Sequence, residues 1–125
     1  MATRLALIVD DNELNLKLLR DVLRFEGYRT SEAATAESAL ALAAAEPPDI
    51  VLMDVSLPDL SGVEALERLR AAPATRATPV LVVTASAMVG DRERLLAAGF
   101  DDYLAKPIQV RDLLERVRRL CEPGG

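Results

Sequence analysis

Ile50-Val51-Leu52-Met53-Asp54 sets four apolar residues in unbroken succession and closes them with a carboxylate. A run this short, apolar at every position, has no polar face to offer water and reads as a strand buried on both sides. The same shape recurs on either side of it. Leu5 to Val9 is apolar and runs into Asp10-Asp11; Val80 to Val83 follows Pro79 and ends at Thr84; Asp102 to Ala105 leads to Lys106-Pro107. Arg29 to Ala33 is a weaker strand of mixed character. Helical stretches fill the intervals. Asn12 is placed to cap a helix that runs to about Phe25 and stops at Gly27. Thr35 to Ala45 is Ala-rich and is broken by Pro47-Pro48. Further helices are expected from about Val63 to Ala71, from Asp91 to Ala98 with Gly99 as the C-terminal cap, and from Ile108 to Leu120.

Strands and helices that alternate in this way, with the strands continuously apolar, imply a parallel sheet covered by helices on both faces. Right-handed crossovers leave few arrangements. The expected fold is an α/β domain built on a five-stranded, doubly wound parallel sheet of order 2-1-3-4-5. We expect one domain over residues 1–125 with its core at about 4–121, followed by the short tail Glu122-Pro123-Gly124-Gly125.

Composition narrows the function. Half the residues are hydrophobic and 28% are charged, which is globular rather than disordered. The longest apolar stretches are too short for a bilayer and no signal peptide is recognisable, so a cytoplasmic protein is expected. The lone Cys121 reads as a small apolar filler. A net charge of −5 disfavours nucleic acid, and Arg116, Arg118 and Arg119 read as the solvated face of a helix. There is no histidine, which removes Ser-His-Asp triads, Cys-His pairs and histidine metal sites. The chemistry must run on carboxylates, hydroxyls and lysine.

In open parallel sheets ligands bind beyond the carboxyl ends of the strands. Asp10 and Asp11, Asp54, Thr84 and Lys106 all fall there, from four different strands. Three acids held together repel unless a cation neutralises them, and Lys106 supplies only one positive charge. Oxygen donors of this kind suit a hard divalent ion, Mg²⁺.

Val9-Asp10-Asp11, Leu52-Met53-Asp54 with Pro58, Val83-Thr84-Ala85 and Lys106-Pro107 resemble the receiver domain of bacterial response regulators over nearly the whole chain. Asp11-Asn12-Glu13-Leu14-Asn15, Leu57-Pro58, Ser61-Gly62 and Pro107-Ile108 are similar to stand-alone members of that family, and a receiver excised from a hybrid histidine kinase is the alternative. The resemblance implies a flavodoxin-like fold and a phosphoacceptor switch rather than an enzyme. Asp54 would take phosphate from a partner's phosphohistidine, on a histidine kinase or a histidine phosphotransfer protein. Asp11 and Asp54 would bind Mg²⁺ directly, Asp10 through water, and the Ser56 carbonyl would complete the protein ligands. Lys106 and Thr84 would contact the phosphoryl group. Tyr103 would respond to Thr84 and remodel the face of helix four, strand five and helix five, where a downstream protein docks. Ser56 and Ser86 would border the hydrolytic water, and their short side chains imply an intermediate phosphate lifetime.

The first helix supplies a separate signal. Leu14, Phe25, Leu18, Val22, Leu19, Leu23 and Leu16 sweep an apolar arc of roughly 200°, where a helix on a sheet needs nearer ~100°. The excess around Leu14 and Leu18 is either a docking ridge for helices that carry the phosphohistidine, or is covered by the fifth helix. A flavin-binding electron carrier on the same fold is the distant rival. It fits poorly, because Asp10-Asp11-Asn12-Glu13 repels phosphate and aromatics are only 3% of residues. A phosphate-independent scaffold is a third reading, but it gives no reason for all five site positions to be present.

Overall fold

The computed structural model describes residues 4–85 and 90–121. Five strands alternate with five helices: β1 (Leu5–Val9), α1 (Glu13–Phe25), β2 (Arg29–Ala33), α2 (Ala36–Ala45), β3 (Ile50–Met53), α3 (Gly62–Ala71), β4 (Val80–Thr84), α4 (Asp91–Ala98), β5 (Asp102–Ala105) and α5 (Val110–Cys121). All pairings are parallel and the order is β2-β1-β3-β4-β5, as the alternation predicts. Every residue of β1, β3 and β4 is buried, which is why those runs carry no polar alternation.

Handedness distributes the helices. The chain moves one way from β1 to β2 and the other way from β2 through β3, β4 and β5, so right-handed crossovers place α1 on one face and α2, α3 and α4 on the other. Two cores result. Leu7, Val9, Val51, Met53, Val80 and Val82 meet Ala36, Ala39, Ala43, Leu66, Leu69 and Leu95 on one side. Ala6, Ile8, Ile50, Leu52, Leu81 and Val83 meet Leu19, Leu23, Leu113, Val117 and Cys121 on the other. Cys121 is the buried apolar residue expected. Among the described residues no helix is long and apolar enough to cross a membrane.

Helix ends follow local chemistry. Asn12 Oδ1 accepts from the N–H groups of Leu14 and Asn15, and Gly27 leaves α1 with φ 98°. Thr35 is extended and caps α2 from outside, so the helix begins at Ala36 rather than Thr35. Ser61 caps α3, which starts at Gly62, one residue before the expected position. The last helix differs more. It starts at Val110, not Ile108, because Gln109 supplies the first accepting carbonyl, and Ile108 is apolar for another reason: it packs on the second core.

Of the two alternatives for α1, exposure removes cover by the fifth helix. Leu19 and Leu23 face the sheet, while Leu14 is 78% exposed, Leu18 40% and Phe25 90%. α5 lies on the same face of the sheet but does not cover them.

Candidate functional site

Parallel strands deliver their carboxyl ends to one rim, and the polar residues named from sequence stand there. Asp10 follows β1 and is 2% exposed; Asp54 follows β3 and is 8% exposed. Lys106 follows β5, and its ammonium donates at 2.9 Å to Asp10 Oδ2 and at 2.9 Å to Asp54 Oδ2. One cation thus bridges two buried acids that lie 44 positions apart in the chain. The remaining carboxylate oxygens are held by backbone: Asp10 Oδ1 accepts from Asn12 N–H, and Asp54 Oδ1 from Ser56 N–H, each at 2.9 Å. Burial alone would lower the Lys106 pKa, but hydrogen bonds and attraction from Asp10 and Asp54 outweigh it, and the net shift is upward.

The remaining residues divide. Thr84 ends β4 fully buried, between β3 and β5, and its carbonyl accepts from Lys106 N–H at 2.9 Å. Tyr103 is buried against the core formed with α4, opposite Val82 in the register of β4 and β5. Ser56 is exposed beside Asp54. Asp11 is exposed and takes no part in the lysine bridge; Asp10 makes that contact instead. Ser86 lies outside the described residues.

Whether Mg²⁺ fits depends on the donors. All are hard oxygens, and three carboxylates at this rim face a single ammonium, so the charge favours a cation. The side chains are not yet gathered around one: among the described residues no three acids stand close enough to enclose an ion. An ion at this rim would meet Asp10 and Asp54 where they stand, while Asp11 would have to turn inward from solvent.

One further acid near this rim has no signal in the sequence. Asp59, in the loop after Asp54, accepts from the N–H groups of Ala36 and Glu37 across 23 and 22 positions. Gly62 closes the same loop, and a Cβ there would lie 2.8 Å from Val55 Cα. Arg116 corrects the reading of a solvated arginine face: it is half-buried and donates to Asp102 at 2.6 Å and Asp112 at 3.0 Å, joining β5 to α5. Arg118 and Arg119 are exposed as expected.

Known proteins share this fold. The family model of the response regulator receiver domain matches residues 6–118. The polar-differentiation response regulator DivK of Brucella ovis is 42% identical over 116 residues, covering 93% of this chain and 94% of that protein. DivK of Brucella anthropi is 43% identical over 112 residues, covering 90% and 91%. A putative response regulator from Chloroflexus aurantiacus superposes with a TM-score of 0.90 at 35% identity, covering 96% of this chain and 98% of that one. The receiver domain of a sensor histidine kinase from Pseudomonas aeruginosa, with magnesium coordinated in its active-site cleft, superposes with a TM-score of 0.87 at 38% identity, covering 96% and 98%.

Proposed function

This chain belongs to the response regulator receiver family, and from that premise we propose that Asp54 accepts a phosphoryl group from the phosphohistidine of a kinase or phosphotransfer protein. Receivers of this family are signalling switches rather than enzymes in the ordinary sense. The observation that carries the reading is the ammonium of Lys106 at 2.9 Å from both Asp10 and Asp54. Transfer to a carboxylate needs little covalent help and depends on positioning and charge.

Each residue has a part. An oxygen of Asp54 attacks phosphorus as the bond to the donor imidazole breaks, and the imidazole leaves with the bonding pair. Asp54 Oδ1 is fixed by Ser56 N–H, which leaves Oδ2, shared with Lys106, to turn to the incoming group. Lys106 then follows the phosphoryl oxygens, and Thr84 donates its hydroxyl to them. Asp11 and Asp54 directly, Asp10 through water and the Ser56 carbonyl would hold Mg²⁺, which would supply charge neutralisation for the phosphoryl oxygens. The added charge shifts the balance between two packings of Thr84 and Tyr103, altering the surface of α4, β5 and α5 read by a downstream protein. Neither nucleic acid nor membrane is a partner in this scheme. Short Ser56 and Ser86 side chains give the phosphate an intermediate lifetime.

Asp54→Asn tests the assignment. Labelling by acetyl phosphate with Mg²⁺ is expected to disappear in the variant. Undiminished labelling at another aspartate would overturn Asp54 as the acceptor.

A further inference from the structure

Asp59 stands five residues beyond Asp54 and turns away from the acid and lysine cluster. Its two oxygens are committed elsewhere: Oδ1 accepts from Ala36 N–H at 2.9 Å and Oδ2 from Glu37 N–H at 2.9 Å. Bonds to successive amides fix both the position and the plane of the carboxylate. Thr35, the helix's own cap, takes the N–H of Ser38, so the two residues divide the donors of the first turn of α2 between them. Hydrogen bonds from the N–H groups of Glu37 and Ala36 hold the Asp59 carboxyl below its ordinary range.

The body to which Asp59 is tied is packed into the core. Ala36, Ala39 and Ala43 are buried against the sheet, with no long side chains to rearrange. At its base the loop is closed by Gly62 N–H donating to the carbonyl of Val55 at 3.1 Å, with Val55 Cα so near that no side chain fits at Gly62. Ser56 therefore lies between two anchors, one at the base of the loop and one at Asp59. Its N–H is already bonded to Asp54, so a displacement of the loop tip passes through Pro58 and Leu57 to Ser56 and from there to the acceptor.

We propose that Asp59 is a positioning residue for the Mg²⁺ site, holding the Ser56 backbone carbonyl in register with Asp54 by pinning the loop tip to the start of α2. The inference rests on the roles given above to Asp54 and Ser56. Asp59 touches neither ion nor phosphate and acts only through the loop. The contact to Glu37 N–H is exposed, so water can take the carboxylate's place there when it is removed, while the N–H of buried Ala36 loses a partner at some cost in stability as the loop loosens.

The test is a calorimetric Mg²⁺ titration of the full unphosphorylated chain as wild type, Asp59→Ala and Asp59→Asn, with urea unfolding measured in parallel without Mg²⁺. Affinity is expected to fall in the order wild type, Asn, Ala, with Asp59→Ala about tenfold weaker. At saturating Mg²⁺ the rate of acetyl phosphate labelling should return close to wild type. Asp59→Asn retains one acceptor oxygen and supplies the comparison if the alanine variant does not fold. Lowered urea midpoints with unchanged Mg²⁺ affinity would show a merely structural contact and overturn the proposal. A wild type that neither binds Mg²⁺ nor labels at Asp54 defeats the proposed function itself, and the positioning role with it. Normal wild-type binding with equal affinity in both variants defeats the positioning role alone.

Discussion

Lys106 is the residue on which the site turns. Its side chain is only 15% exposed and it is the shared partner of two carboxylates still more deeply buried. Replacing it by methionine leaves Asp10 and Asp54 facing each other without a counter-charge. In Mg²⁺-free buffer Lys106→Met is expected to lose about 1–3 kcal/mol of stability, the usual cost of stranding buried polar partners. Added Mg²⁺ should restore part of that loss, and urea unfolding with and without the ion measures both. If the variant is as stable as wild type, the bridge contributes nothing. The raised pKa gives the direction of the pH response: the lysine's contribution is complete below its unfolded value and disappears as pH climbs through the higher folded one. Asp10, Asp54, Thr84 and Lys106 were legible in the sequence because each stands directly after an apolar run, where strand geometry admits one destination. Asp59 was not, because its partners lie more than 20 positions away and nothing local distinguishes it from a loop acid.

Among the elements, α1 has more apolar surface than the sheet can cover. Periodicity gave the width of its arc but not which residues remain in water, since that depends on where α5 comes to rest. Caps were easier to read at Asn12 and Gly99, which act through neighbours within a few positions, whereas Thr35, expected inside α2, caps it from outside. The onset of α5 was not, because core packing of Ile108 and helical periodicity look alike in a short window. With Leu14 78% exposed beside the acidic rim, Leu14→Ser should change stability by no more than ~0.5 kcal/mol. Phosphotransfer from a phosphohistidine protein is expected to slow about tenfold, through loss of apolar contact at a docking centre. Labelling by acetyl phosphate, which needs no docking, should stay at the wild-type rate. Equal losses with both donors would place Leu14 in the chemistry rather than the encounter.

For the molecule as a whole, the sheet separates two cores that must both be filled. Leu113 has no exposed surface, and Leu113→Ala is expected to cost about 2–5 kcal/mol in a urea titration. Val110→Ala, at a position 43% exposed on the same helix, should stay within ~0.5 kcal/mol. Comparable losses at the two positions would mean that α5 is not seated as described. Parallel strands have a further effect. All the reactive groups lie at one rim, and the turns at residues 26–28, 46–49, 72–79 and 99–101 occupy the other, a strand length of roughly 13–17 Å away. That second rim has its own fastenings, with Arg70 donating to the carbonyls of Arg76 and Thr78 and to Asp101. It is accordingly the place for handles. A fluorophore or surface tether at exposed Ala74 would leave the acidic rim unobstructed, and a dye meant to report phosphorylation belongs at that opposite end, near exposed Ser56 or Asp11.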